Sequence, residues 1–432
     1  MRDRSVVVAG MGRSGLAVVA FLAAKGARVR AVDAKPLAAP LPQGVEFALQ
    51  SPAAFEGADL IVISPGVPAD LPELGTPRGR GVPVVGEVEL AGEFLRGKTI
   101  GITGANGKTT TTALVGHILK QAGVPVQVGG NIGTPVTAMI AASRPGQWNV
   151  IELSSFQLET IERFRAHIGV CLNVTPDHLD RHHTFENYAN AKARLFETQG
   201  AGDFAVLNAD DETTASFGKR TRAETVWFSF RAGCGRMTAD GRAVSFDGKP
   251  FLAIADIPLR GRHNVENTMA AAAAAHLAGV PLEAIAAAVK TFPGVEHRIE
   301  FVRTLGGVDY YNDSKATNVD ATMKAIDAFS GGLWIILGGK DKGSDYTVLR
   351  EPLRQKARAA LLVGAAAGKI KAQLGDAVRL IEAGTIARAV EAASKEAKAG
   401  DTVLLAPACA SFDQFDGYEQ RGRVFKELVR AL

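Results

Sequence analysis

The stretch Thr99-Ile-Gly-Ile-Thr-Gly-Ala-Asn-Gly-Lys-Thr-Thr-Thr-Thr112 constrains this chain more than any other. A short apolar strand runs into a glycine-rich turn that ends in Gly107-Lys108-Thr109. Gly104 and Gly107 free the backbone to aim N–H groups at anionic oxygens, Lys108 adds a point charge, and Thr109 brings a hydroxyl able to ligate Mg²⁺. Residues 113–122 read as a helix stopped by Gly123, its positive end toward the phosphates of a bound triphosphate. The strict phosphate-loop pattern has glycine where this chain has Ile102. Gly-Lys-Thr-Thr directly after a strand still favours a phosphate loop over an ordinary glycine turn.

The chain has 432 residues, of which 47% are hydrophobic, enough for two to four domains each with its own core. Its net charge of +4 is spread among mixed signs without a Lys/Arg run, so no nucleic-acid footprint is present. Cys171, Cys234 and Cys409 are far apart with no C-x-x-C, which argues against a disulfide frame or zinc site and for a reducing compartment. Val6-Val-Val-Ala9 after two arginines imitates a secretion signal, but Gly10, Gly12, Arg13 and Gly15 interrupt it. No run approaches the ~18 apolar residues of a membrane helix, so no membrane partner is expected.

Three α/β segments follow in order. Residues 1–93 open with Ser5-Val-Val-Val-Ala9, then Gly10-Met-Gly12-Arg-Ser-Gly15, a helix to Lys25, and a strand ending on Asp33. Strand, G-x-G-x-x-G, helix, strand, acid is the layout of a Rossmann-like nucleotide-binding unit, and alone it suggests NAD as readily as another ribonucleotide. A separate phosphate loop ninety residues on counts against NAD. Leu60-Ile-Val-Ile-Ser-Pro-Gly66 adds a buried strand and turn, and the joint is placed at residues 92–97. Residues 94–294 form a P-loop-type ATPase domain with a mostly parallel sheet, residues 225–259 reading as a small antiparallel insert. Residues 295–432 form a second Rossmann-like domain, with strands at residues 308–311, 333–337, 359–363 and 402–406.

Reactive groups gather at strand ends. Glu152 follows Asn149-Val-Ile and precedes Leu-Ser-Ser-Phe-Gln157, as a carboxylate for Mg²⁺ or as a helix-start acid. Asn173-Val-Thr-Pro-Asp-His178 reads as a loop aimed at the phosphates rather than as a zinc site, since its histidines lack a helical pair or a cysteine partner. The turns at 312–318 and 338–343 pack cations and hydroxyls, suiting carboxylates or a transferring phosphoryl group, with solvated surface loops as the alternative. From spacing, Lys192 reads as a solvated helix lysine.

Gly104-Ala-Asn-Gly-Lys-Thr-Thr110, Glu152-Leu-Ser-Ser-Phe-Gln157, Asn173-Val-Thr-Pro-Asp-His178, Gly261-Arg-His-Asn264, His297-Arg298 and Asn312-Asp-Ser-Lys-Ala-Thr-Asn318 resemble the motifs of the Mur ligases. Gly10-Met-Gly-Arg-Ser-Gly15, Ser64-Pro-Gly66 and Ala408-Cys-Ala-Ser-Phe-Asp-Gln-Phe415 are similar to those of the D-glutamate-adding branch. The resemblance implies a monomeric, cytoplasmic, ATP- and Mg²⁺-dependent ligase of peptidoglycan assembly. Its small-molecule partners would be UDP-N-acetylmuramoyl-L-alanine, D-glutamate and ATP. It gives the uracil nucleotide to Arg13, Ser14, Asp33, Lys35, Ser64 and Gly66, and the muramoyl part to Asn131. It gives ATP to Gly104, Asn106, Gly107, Lys108, Thr109, Thr110, Asn264, Asn267, Arg298 and Asp313. Thr109, Glu152, His178 and a carbamylated Lys192 would hold metal, and with Lys108 the last three would form the catalytic set. His297, Lys315, Thr317, Lys342, Ser411 and Tyr418 would surround D-glutamate. A folylpolyglutamate-synthetase-like ligase and a non-catalytic ATP-binding switch remain as alternatives; the first lacks the N-terminal nucleotide segment.

Overall fold

The computed structural model describes residues 1–37 and 40–432, with backbone alone at residue 180. Two compact units divide the chain, Met1–Ile257 with His263–Phe292, and Pro258–Arg262 with Pro293–Leu432.

The first unit holds two sheets. Strands β1 (Ser5–Ala9), β2 (Arg28–Asp33), β3 (Glu46–Leu49), β4 (Leu60–Ile63) and β5 (Val84–Gly86) form the smaller, in the order β3-β2-β1-β4-β5. All its pairings are parallel. The runs Val6-Val-Val8 and Leu60-Ile-Val-Ile63 are buried on both faces, as a helix-covered parallel sheet requires. Chain order reverses between β1 and β4, the switch point at which such sheets open a crevice.

The larger sheet comprises β6 (Lys98–Thr103), β7 (Val126–Gly130), β8 (Trp148–Glu152), β9 (Ile168–Cys171), β10 (Phe204–Asn208), β11 (Glu224–Ser229), β12 (Met237–Ala239), β13 (Ala243–Phe246) and β14 (Lys249–Ala253). Its order is β14-β13-β12-β11-β10-β9-β6-β8-β7. The expectation of a small antiparallel insert over residues 225–259 holds for β12-β13-β14 and is corrected for β11. β11 runs parallel to β10 and β12 parallel to β11, so this segment extends the central sheet, and only β12-β13-β14 is antiparallel. The Asp247-Gly248 turn does mark the β13-β14 hairpin. The direction of β11 is set instead by the connection carrying helix Glu212–Ser216, which crosses over and returns the chain in parallel.

The phosphate-loop helix spans Lys108–Gln121, starting five residues before the expected 113. Threonine is a modest helix former, but Thr109 to Thr112 are buried against the sheet, and packing outweighs propensity.

Two buried carboxylates fasten helix Glu87–Gly92, which follows β5, to the loops of the larger sheet. Glu87 Oε1 accepts the Thr137 N–H at 3.0 Å. Glu89 accepts the N–H groups of Glu162, Arg163 and Phe164, each within 3.1 Å. Hydrogen bonds to a charged acceptor are worth about 1.5–3 kcal/mol each, and Val88 and Ala91 of the same helix pack into the core beside Val136 and Ile151, so both terms hold the two sheets together.

In the second unit β15 (Glu300–Leu305), β16 (Val308–Asn312), β17 (Leu333–Gly338), β18 (Ala357–Val363), β19 (Arg379–Gly384) and β20 (Thr402–Leu405) are ordered β15-β16-β20-β17-β18-β19. Only β15 is antiparallel. β15 and β19 mix polar with apolar residues and lack the continuous apolar run that marks β17.

Candidate functional site

At the end of β6 the chain turns through Gly104 (φ +148°) and Gly107 (φ +87°) into helix Lys108–Gln121. The turn is propped on the end of β9: Ala105 N–H donates to Asn173 O at 2.8 Å and Asn106 N–H to Asn173 Oδ1 at 2.9 Å. Asn267, on helix Arg262–Leu277, closes over it so tightly that a Cβ on Gly107 would lie 2.2 Å from its Oδ1. Asn267 in turn donates to Asn264 Oδ1 at 3.0 Å.

Two lysine amino groups converge on one carbonyl of this turn. Lys108 Nζ donates to Gly104 O at 2.9 Å and to Ala105 O at 2.8 Å, and Lys192 Nζ donates to the same Gly104 O at 2.8 Å. Lys192 is 1% exposed, so the reading of a solvated helix lysine is corrected. Helix Phe185–Glu197 turns Tyr188, Ala191, Lys192, Leu195 and Phe196 inward, and the Lys192 ammonium lies 4.5 Å from the Tyr188 ring centroid. Burial, then the charge of Lys108, pulls the Lys192 pKa down to about 7.

Glu152 ends β8 and is 2% exposed. It is not a helix-start acid: Ser154, two residues on, caps helix Ser155–Leu158 through a capping box with Gln157. Glu152 Oε1 accepts from Asn131 Nδ2 at 2.9 Å, and its buried Oε2 has no hydrogen-bond partner among the described residues. A buried, unpartnered carboxylate oxygen is unfavourable unless a cation or a donor completes it. His178 follows β9 in left-handed conformation (φ +52°) with its side chain 48% exposed. Its ring packs 4.8 Å from that of Phe156. His182, by contrast, is buried against Ser155 Oγ at 2.9 Å. No group of three or more His, Cys, Asp and Glu side chains poised for a metal occurs among the described residues, so any metal there needs other ligands as well.

At the switch point of the smaller sheet lies a cavity of about 720 Å³, within the range of small-molecule sites. Arg13, Ser14, Asp33, Ser64 and Gly66 line it from one sheet and Asn131 from the other. Asp33 Oδ2 accepts Met11 N–H at 2.6 Å and Oδ1 accepts Lys35 N–H at 3.0 Å. Ser64 Oγ donates to Gly10 O at 2.6 Å, and Arg13 Nη2 donates to Gly133 O at 2.7 Å. Lys35 lies beside Asp33 but is not among the lining residues. Asn131 joins the cavity to Glu152.

In the second unit Asp313 follows β16 with 5% exposure, and burial pushes its pKa up to about 6 against the pull of Arg298. The buried Arg298 Nε has no hydrogen-bond partner among the described residues. His297 is buried with φ +65°, its Nδ1 2.9 Å from Asn312 Nδ2 and its ring 6.1 Å from that of Tyr418. Lys315 Nζ lies 5.5 Å from the Tyr418 ring centroid, and Thr317 N–H donates to Lys315 O at 2.8 Å. Ser411 is buried, and Lys342 is exposed on the turn after β17.

Arg421 escaped the sequence reading. Its guanidinium, 2% exposed, donates to Ser314 O (2.8 Å), Ser314 Oγ (3.0 Å) and Cys409 O (3.1 Å), tying the loop of Lys315 and Thr317 to that of Ser411. In sequence it is one of four arginines and lysines on helix Tyr418–Ala431; periodicity sets it on the face of Phe425 and Leu428, away from the exposed Arg423 and Arg430, but carries no sign of its partners.

Three family models match the chain: "Mur ligase MurD-like, N-terminal domain" over residues 4–86, "Mur ligase middle domain" over 102–275, and "Mur ligase, glutamate ligase domain" over 297–409. The chain is 63% identical to the UDP-N-acetylmuramoylalanine–D-glutamate ligase of Solibacter usitatus, covering 99% of this chain and 97% of that one. It is 52% identical to the enzyme of the same name from Acidobacterium capsulatum, covering 100% and 97%. Among solved structures, the UDP-N-acetylmuramate-alanine ligase of Thermotoga maritima has the same fold, with a TM-score of 0.65 at 19% identity over 99% of this chain and 100% of that one. With its three α/β sheets and full-length relatives of this kind, the chain belongs to the Mur ligase family.

Proposed function

We propose that this chain joins D-glutamate to UDP-N-acetylmuramoyl-L-alanine with cleavage of ATP to ADP and phosphate, in the cytoplasm and as a monomer. Its working domains are taken as residues 1–93, 94–294 and 295–432. Asn131 carries the reading: it lines the nucleotide cavity and also holds Glu152, linking that cavity to a buried carboxylate suited to a cation.

The chemistry follows from the reactants. A carboxylate is a poor electrophile, and transfer of a phosphoryl group to its oxygen supplies a leaving group. The D-glutamate amine then attacks the acyl phosphate, and the tetrahedral intermediate expels phosphate. The switch-point cavity, with Arg13, Ser14, Asp33, Lys35, Ser64 and Gly66, takes the uridine diphosphate end, and Asn131 orients the muramoyl end. The turn at Gly104, Asn106 and Gly107, with Lys108, Thr109 and Thr110, takes the ATP phosphates at a helix N-terminus. Asn264, Asn267, Arg298 and Asp313 are also assigned to ATP. His297, Lys315, Thr317, Lys342, Ser411 and Tyr418 are assigned to D-glutamate.

The unpartnered Glu152 Oε2 is a hard oxygen donor of the type Mg²⁺ prefers, so the residues present fit this metal. Thr109, Glu152, His178 and a carbamylated Lys192 would hold it, and when bound it offsets the phosphate charge. Burial favours the neutral amine of Lys192, the form able to add carbon dioxide, and a carbamate replaces an ammonium whose charge would repel a metal ion.

Phosphate release from ATP, measured with the UDP-muramoyl-alanine acceptor while the amino acid is varied, tests this function. Release should require both acceptor and D-glutamate. Release without either, or with another amino acid in preference, overturns it.

A further inference from the structure

Arg181 lies in the short helix Leu179–His182 that begins directly after His178, and it reaches the turn that borders the nucleotide cavity. Its Nη2 donates to Val67 O at 3.0 Å and to Glu159 Oε2 at 2.8 Å. Its guanidinium carbon sits 5.1 Å from the Phe156 ring centroid. The same Phe156 ring packs at 4.8 Å against the ring of His178. At the other end, Val67 N–H closes the turn onto Ser64 O at 2.9 Å, and Ser64 Oγ anchors that turn to Gly10 O at 2.6 Å. Ser64, Pro65, Gly66 and Val67 all line the cavity, whereas His178 does not.

Arg181 is poorly placed to be a solvated surface charge. Its side chain is 16% exposed, and Glu159, which holds it, is gripped from the other side by His182 Nδ1 at 3.2 Å. The guanidinium is therefore fixed on three sides, by a carboxylate, an aromatic face and the carbonyl of Val67. Of these, the carbonyl belongs to a segment that a ligand in the cavity touches.

We infer that Arg181 is a positioning residue that couples filling of the nucleotide cavity to the placement of the His178 ring. A ligand against Ser64 to Val67 fixes the Val67 carbonyl, the carbonyl fixes the guanidinium, and Phe156, held between Arg181 and His178, transmits the constraint. Coupling of this kind is reciprocal, so holding His178 also tightens the cavity. The inference rests on the reading of this cavity as the uridine diphosphate site.

The test uses the full-length chain, UDP as probe and the histidine ring resonances, with His178 assigned from a His178→Gln variant. In the wild type, saturation with UDP should shift the His178 ring signals although UDP does not touch that residue. In Arg181→Met, UDP should still bind, and the His178 shift should fall to less than a third. An equal shift in both proteins, or none in the wild type at saturating UDP, overturns the coupling and leaves the cavity assignment intact. Failure of UDP to bind the wild type overturns the cavity assignment and the inference with it. If Arg181→Met does not fold, Phe156→Leu keeps the Arg181–Val67 bond while removing the intervening ring, and it should lose the shift equally.

Discussion

Two glycine turns follow parallel strands of the first unit, and they are furnished with opposite charges. The turn after β1 sets a carboxylate on its backbone, Asp33 accepting the Met11 N–H at 2.6 Å. The turn after β6 draws two lysine side chains onto Gly104 O, the cationic Lys108 and the buried Lys192. A carboxylate accepts from ribose hydroxyls and repels phosphate, while the Lys108 ammonium attracts it. Similar glycine spacing therefore serves different ends, and the side chains that arrive from elsewhere decide which.

The comparison breaks most visibly at Lys108. Lys108→Ala removes a charge from the second turn without touching the core, and loss of such preorganised stabilisation costs about 10²–10³ in turnover. Phosphate release should fall by at least that factor while the far-ultraviolet circular dichroism stays unchanged. A folded variant with near-normal turnover would mean that the charge contrast between the turns has no part in catalysis.

Lys192 tests the contrast from the other side, because the group assigned there is an anion made from a lysine, which leaves Lys108 as the cation of that pair. Lys192→Ala should lose nearly all activity, and short-chain carboxylates added to the assay should restore part of it by standing in for the carbamate. Full activity in the variant removes the carbamate from the scheme. In magnesium-free, carbonate-free buffer the unmodified amine makes a separate prediction. Its folded pKa, about 7, is below the ordinary 10.5. The unfolded chain thus binds the extra proton between these values, and stability rises with pH across that window by up to about 1.4 kcal/mol per unit. This contribution is complete above the unfolded pKa and is lost as pH falls through the folded one. Urea unfolding of the wild type and Lys192→Met should show the wild type losing ground to the variant as pH drops toward 7; parallel curves would mean that the amine is not desolvated.

How much was legible in the sequence follows from the same two turns. Both were readable because the glycines, the lysine and the acid at the end of β2 sit at fixed offsets from apolar strands. Tertiary placement was not. Helical periodicity puts Lys192, the one lysine of helix Phe185–Glu197, opposite the polar face of Glu186, Asn190, Arg194 and Glu197 and among Tyr188, Leu195 and Phe196. Arg421 likewise shares a face with Phe425 and Leu428, so periodicity signals that both turn inward, and what it does not show is what each charge meets there, Gly104 O for Lys192 and the Ser314 and Cys409 carbonyls for Arg421. The parallel course of β11 was missed because pairing direction belongs to the connection, not to the strand's residues. Glu152 was found, but its unpartnered oxygen could be seen only once Asn131 was placed beside it.

The first turn yields the finest discrimination, between two of its own glycines. A Cβ on Gly15 would sit 1.8 Å from Gly10 O and 2.8 Å from Ser64 Oγ, so Gly15→Ala must push the turn off the helix. Overpacking of this kind costs about 1–3 kcal/mol, and the melting temperature and UDP affinity should fall together. Gly12 has no atom within 4 Å of its Cβ position and an ordinary φ of −71°. Gly12→Ala loses a favoured N-cap residue, at a cost of about 0.5–1 kcal/mol, and recovers about 0.4–1 kcal/mol from the stiffer unfolded chain. The two nearly cancel, so stability should stay within about 0.5 kcal/mol of the wild type. Gly12 nevertheless lines the cavity, and the methyl group of an alanine at this position would occupy open space beside the turn. Calorimetry should therefore find UDP affinity lowered a few-fold in a protein that melts normally. Unchanged UDP affinity would mean that this turn does not meet the nucleotide, and the contrast between the two turns would lose its first half.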